Sequence, residues 1–246
     1  MYYTPGKEYN LYELLQKADK GDLDAMTTVV SLLAAEGYTD DDPDGEIAER
    51  QVRYLRQLAE AGRTFACIML GDACRTGDGA PKDVKEAIRW YEQAAEGGIR
   101  FGNECIGLLY YEGDDIPADY QKAYEYFTKD GGKKSFCTTY ALGEMFRKGL
   151  YVSQDEEKAC EYYESIVYDD GSYPEMDDYY WRACYRLAMA HHYGRGAEKD
   201  LDTAVELMAK ARNLYESRSD AAVKGDISKE ELYQEWMLLN QDAGSF

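Results

Sequence analysis

The chain of 246 residues carries 48 acidic against 28 basic side chains, a formal net charge of −20. Such a field repels nucleic acid and anionic lipid, so no nucleic-acid partner is expected and a basic protein partner is favoured. Hydrophobic residues make up 45% of the chain, enough for a real core, and no run of about 18 apolar residues is present to insert into a membrane.

The first residues, MYYTPGKEYNLYELLQKADKGD, lack a basic stretch followed by an apolar one, which predicts a cytoplasmic chain. Within 1–20, Leu11, Leu14, Leu15 and Ala18 fall at helical spacing and predict an amphipathic capping helix. Without an export signal, the six cysteines (Cys67, Cys74, Cys105, Cys137, Cys160 and Cys184) are expected to be reduced and buried.

Residues 21–62 form a degenerate first copy of a repeat described below. It holds an acidic insertion, TDDDPDGEIAERQ. Asp40, Asp42, Asp44 and Gly45 match the first half of a D-x-D-x-D-G calcium loop, and Ile47 falls where such loops favour an apolar residue. The closing position is Gln51 instead of the glutamate that supplies two oxygens, so any calcium would bind weakly. The competing reading is a solvated insertion turned by Pro43.

Residues 63–98 contain the clearest unit, LGDACRTGDGAPKDVKEAIRWYEQAAEGG. Gly71, Gly107 and Gly143 are 36 residues apart, as are Gly77, Gly113 and Gly149, then Asp83, Asp119 and Asp155, then Ala87, Ala123 and Ala159. The aromatic pairs Trp90-Tyr91, Tyr126-Phe127 and Tyr162-Tyr163 keep the same register. This defines copies at 63–98, 99–134 and 135–171. After a polar loop, Val167 to Asp178, another copy spans 179–213, with Gly194, Gly196, Asp200 and Ala204 in the places of Gly77, Gly79, Asp83 and Ala87. Cys67 and Cys184 are equivalent, which suggests core filling. Residues 227–242 predict a final capping helix. It opens on a capping box, Ser228 to Glu231, and bears Leu232, Trp236 and Leu239 on one stripe.

Each copy reads as two helices. Gly77 suits a helix C-terminus in the left-handed conformation, and Asp83 suits an N-cap. Glycine inside the first helix, as at Gly71, costs on the order of 1 kcal/mol relative to Ala. Close approach of the partner helix's aromatic pair is its expected compensation. Gly107→Leu should therefore push the two helices apart and lower the melting temperature by several degrees; a variant melting like the wild type would refute that packing role.

The pattern A-x-x-x-L-G-x-x-Y-x-x-G-x-G-x-x-x-D-x-x-x-A-x-x-W-Y-x-x-A-A-x-x-G resembles the Sel-1-like repeat, a relative of the tetratricopeptide repeat. Residues 66–98 match nearly every position, with Cys74 in place of the usual Tyr. Later copies depart at Asp115, at Leu150-Tyr151 and at Leu207-Met208. The resemblance implies an all-α fold: one α-solenoid over 1–246, a right-handed superhelix of antiparallel helix pairs whose first helices line the concave face.

The glycine cluster is no phosphate cradle. It lacks G-x-x-x-x-G-K-[ST], lies in no βαβ unit and recurs where a cofactor loop would be unique. No cofactor and no catalytic constellation are expected; H-E-x-x-H, G-x-S-x-G and C-x-x-C are all missing. His191 falls on the position of Cys74, Tyr110 and Phe146, predicting a core role. His192 falls on that of Arg75, Tyr111 and Arg147, predicting an exposed one.

Among 24 tyrosines, Tyr111, Tyr140, Tyr179, Tyr180 and Tyr185 lie outside the repeat positions and are expected at the surface. On the first helices, one stripe reads Ile68/Asp72/Arg75, Glu104/Leu108/Tyr111, Tyr140/Glu144/Arg147 and Tyr185/Met189/His192. Its mixture of aromatic, apolar and charged groups is that of a protein-binding surface. The expected function is a non-enzymatic scaffold or adaptor that binds a protein or peptide, favourably a basic one, on this stripe. Two alternatives are a calcium-modulated repeat protein and a secreted, disulfide-stapled protein resembling the family's cysteine-rich branch, for which penicillin-binding or hydrolase activity has been proposed. That branch repeats a cysteine pair in each unit, and the cysteines here fall out of phase.

Overall fold

A computed structural model describes residues 11–36, 46–131, 134–169, 178–217 and 226–244. The described residues are all-α, with twelve helices and no strand. They divide into two units, Met1–Asp119 and Tyr120–Phe246. The first holds α1 (Leu11–Ala18), α2 (Leu23–Glu36), α3 (Glu46–Glu60), α4 (Phe65–Thr76), α5 (Val84–Glu96) and α6 (Phe101–Glu112). The second holds α7 (Tyr120–Lys129), α8 (Phe136–Lys148), α9 (Glu156–Val167), α10 (Asp178–Tyr193), α11 (Leu201–Glu216) and α12 (Lys229–Asp242). Asp40, Asp42 and Asp44 lie outside the described residues.

One local rule builds the helix pairs. The first helix ends on a glycine with positive φ: Gly77 at 87°, Gly113 at 74°, Gly149 at 68° and Gly194 at 65°. Four backbone bonds then tie the start of the next helix to the end of the previous one: Asp83 to Cys74, Asp119 to Tyr110, Asp155 to Phe146 and Asp200 to His191, each an amide N–H donated to a carbonyl over 2.8–3.1 Å. The side chains of Asp83, Asp155 and Asp200 also cap. The Asp83 carboxylate accepts from the N–H groups of Lys85 and Glu86, that of Asp155 from Lys158, and that of Asp200 from Thr203. Each such cap stabilises its helix by about 1 kcal/mol. The recurring aspartate thus serves the turn twice, through its backbone and its side chain.

The mid-helix glycines make room for rings. A Cβ at Gly71 would stand 2.3 Å from the Tyr91 ring, and one at Gly143 2.6 Å from the Tyr163 ring. Both tyrosines are buried. In the last pair Ala188 and Met208 stand at these two positions, both fully buried; a thioether leaves space for a methyl where a ring does not. The first unit's core gathers Met26, Val29, Tyr54, Leu58, Cys67 and Leu70. The second unit's core gathers Tyr163, Ile166, Trp181, Cys184, Leu187 and Met208.

Candidate functional site

The tyrosine packed on each mid-helix glycine ends in a hydroxyl that needs an acceptor once buried. Tyr91 donates to Asp72 at 2.7 Å, and Tyr163 donates to Glu144 at 2.7 Å. The acceptor is in both cases the stripe residue next to the glycine. Where the ring has no hydroxyl, as at Phe127, or is replaced by Met208, the stripe residue is Leu108 or Met189. Asp72 and Glu144, expected as partner-binding residues, are therefore first of all acceptors for the chain's own tyrosines.

Glu144 does more. Its side chain is 1% exposed and receives a bidentate pair from Arg147 (Nε 2.8 Å, Nη2 2.7 Å), Lys148 Nζ at 2.9 Å and Arg186 Nε at 2.9 Å. Burial opposes its ionisation, but Arg147, Arg186 and Lys148 outweigh burial and hold the carboxyl well below the usual range. Arg186 reaches on to Asp226, and its Nε also lies 3.3 Å from the Tyr140 hydroxyl. Tyr140 in turn donates to the Asp226 carboxylate. Arg186 and Asp226 escaped the sequence reading. The signal for Arg186 was available: it is a long cation at the repeat position held elsewhere by Met69, Cys105 and Ala141.

The stripe in this unit is not an open surface. Tyr140, Tyr180, Tyr185 and His192 are buried, contrary to expectation, while Tyr111 and Tyr179 are half-buried. For Tyr185 and His192 the covering element is α12. Glu231 accepts from Tyr185 at 2.9 Å, Glu235 accepts from Tyr193 at 2.9 Å, and Asp242 lies 2.8 Å from His192 Nε2. Leu232 and Leu239 are fully buried, and the Arg212 guanidinium lies 4.4 Å from the centre of the Trp236 ring. His192, expected at the surface, is buried beneath α12, while His191 is half-buried and turns its Nδ1 to the Glu198 carbonyl in the loop. Beside α12 a cavity of about 220 Å³ remains, lined among others by Arg147, Met189, Arg195 and Glu235.

In the first unit, Asp72 is exposed, and Arg75, Glu104, Leu108 and Tyr111 are half-buried on α4 and α6. Burial disfavours the charge on Arg75, yet Tyr91, Asp72 and Asp115 more than offset it and raise its pKa. A groove of about 320 Å³ runs between α2, α3 and α4 and includes Asp72.

Four cysteines are buried and Cys105 and Cys137 are half-buried; none is bonded to another. Burial pushes the thiols of Cys160 and Cys184 up to about 11 and about 12, where they stay protonated and unreactive at neutral pH. Among the described residues no group of His, Cys, Asp and Glu could hold a metal ion, and no helix is long and apolar enough to cross a membrane.

Comparison with known proteins places the fold. The chain is similar to c5321, a protective antigen present in uropathogenic Escherichia coli strains displaying an SLR fold, with a TM-score of 0.65 and 23% identity over 84% of this chain and 41% of that one. It thus spans less than half of that protein's length. It is also similar to a Sel1 repeat protein from Oxalobacter formigenes, with a TM-score of 0.60 and 21% identity over 95% of this chain and 100% of that one. No curated protein matches the chain in sequence. The Sel1 repeat model matches residues 64–99, 106–129, 139–166 and 181–215, leaving the degenerate copy at 21–62 outside. The chain belongs to the Sel1 repeat family.

Proposed function

We propose that the chain is a non-enzymatic scaffold that holds a protein or peptide on the faces of its first helices. Sel1 repeat proteins generally act as protein-interaction scaffolds. The observation that carries the reading here is the seat of α12. Phenols, a guanidinium and an imidazole on and beside α10 grip carboxylates of a helix whose leucines are buried below. A first-helix face of this chain thus has the chemistry to hold another helix. Intramolecularly the second unit's face is largely occupied, which leaves Arg147 and Met189 at its cavity and Asp72, Arg75, Glu104, Leu108 and Tyr111 in the first unit as the partner-binding residues. A reducing cytoplasm suits six cysteines that form no disulfide with one another.

Affinity purification from the native cell tests this. The double variant Tyr111→Ala/Arg147→Ala should lose most of the co-purifying protein while its helical signal stays close to wild type and its melting temperature falls by a few degrees, because Glu144 loses its bidentate partner but keeps Lys148 and Arg186. Unchanged partners would count against these faces as the site.

A further inference from the structure

We infer that the groove between α2, α3 and α4 takes a short segment of a basic partner, an aliphatic side chain flanked by lysine or arginine. The inference rests on the scaffold reading and names the partner chemistry of its first unit. Leu33, Val52 and Leu55 form a floor that is at most 8% exposed, and Ala34, Met69 and Ala73 form accessible walls. At about 320 Å³ the groove lies at the small end of ligand sites, a size for one or two side chains. Its polar lining is Gln51, Asp72, Thr76 and Asp78, with no lysine or arginine.

The two carboxylates set the sign. Asp72 accepts the Tyr91 hydroxyl, which fixes its position, and Asp78 sits exposed in the turn after α4. Neither makes an ion pair within 4 Å among the described residues, although Asp72, together with Asp115, helps to raise the pKa of Arg75. Neighbouring α2 adds no cation, for its sequence LDAMTTVVSLLAAE has only acidic charges. An apolar floor under a rim of two aspartates, with Arg53 and Arg56 of α3 paired elsewhere with Asp19 and Glu86, complements a cation next to an aliphatic anchor on a chain of net charge −20. It opposes an acidic or phosphorylated segment.

The test uses the full chain and a fluorescein-labelled peptide with one leucine between two Lys-Lys pairs, followed by fluorescence anisotropy. Replacing the leucine by serine keeps the charge and should weaken binding about tenfold, the effect of burying one leucine. Replacing the lysines by glutamate should abolish it. Asp78→Lys, at an exposed turn that leaves folding intact, should weaken the parent peptide about tenfold, and Ala73→Phe should do so by filling the groove. Equal binding of the leucine and serine peptides would mean bulk charge alone and overturn the inference. So would binding indifferent to Asp78→Lys, or none at all. Self-association of the chain that Ala73→Phe abolishes would assign the groove to a second copy and likewise overturn it. If the peptide fails while Tyr111→Ala/Arg147→Ala loses its partner, the groove falls and the scaffold stands.

Discussion

Glu144→Ala will lower the stability of the second unit by about 3–5 kcal/mol, the range for removing one member of a buried ion pair. For a chain of this size that is a fall of about 10 °C in melting temperature. The reason lies in what is left behind. Arg186, 11% exposed at its side chain, loses one of its anionic partners and keeps Asp226 and the distant Glu231. The Tyr163 hydroxyl loses its acceptor in a buried place. Arg147 and Lys148 reach solvent, at 34% and 37% exposure, and can rehydrate, which sets the loss toward the lower end. Glu144→Gln keeps an acceptor for Tyr163 and should fall between the two. Thermal melts of the three proteins at neutral pH decide the matter. A Glu144→Ala protein that melts within a degree or so of wild type would show the cluster to be an ornament of the surface.

The same carboxylate makes stability depend on pH with a definite sign. Its folded pKa is depressed because three cations outweigh burial, so the folded state binds fewer protons than the unfolded chain. The stabilisation is whole above the ordinary glutamate range, near pH 4.3, and drains away as pH falls through that range toward the lower folded value. Wild type should therefore lose stability between about pH 5 and pH 3 more steeply than Glu144→Gln, which has no proton to take up at this position.

Some of this was legible in the sequence and some was not, and the divide is one of range. Asp83 is readable because a cap acts over two or three residues, and Gly77 because a left-handed helix end has a local cost that glycine avoids. The tyrosine–carboxylate pairs were readable too. Tyr91 goes with Asp72 and Tyr163 with Glu144, whereas Phe127 goes with Leu108 and Met208 with Met189, a correlation visible across the repeats themselves. The expectation of surface tyrosines failed because a phenol is two-sided: its ring belongs in the core if its hydroxyl finds an acceptor there. Tyr140 and Tyr185 find theirs at Asp226 and Glu231, 86 and 46 residues away. The seat of α12 rests on such pairings. No periodicity records them, so the stripe on α10 looked free.

The second loop position tests how far the repeats tolerate departure from their own rule. Gly79 has φ 68° and Gly196 φ 75°. A Cβ at Gly79 would lie 2.3 Å from the Ala48 carbonyl oxygen on α3, and one at Gly196 would lie 2.2 Å from the Glu156 carbonyl oxygen on α9. In both loops the chain sits directly on the backbone of the preceding second helix, and backbone cannot step aside as a flexible side chain can. Gly79→Ala and Gly196→Ala should each destabilise their unit by about 2–4 kcal/mol, the sum of a left-handed penalty and an overpacking penalty. At the equivalent place the fourth copy has Tyr151, also left-handed at φ 66° and 55% exposed, with its ring 5.8 Å from that of Tyr124. A tyrosine there cannot rest on the preceding helix as closely as the two glycines do, so its loop has already given up that contact. Tyr151→Gly should relieve the strained φ while losing the ring contact and adding freedom to the unfolded chain, leaving stability within about 1 kcal/mol of wild type. Urea unfolding of the three variants separates the cases. Losses of equal size at 79, 151 and 196 would mean that the glycines serve their own turn alone and that the carbonyl contact does not matter.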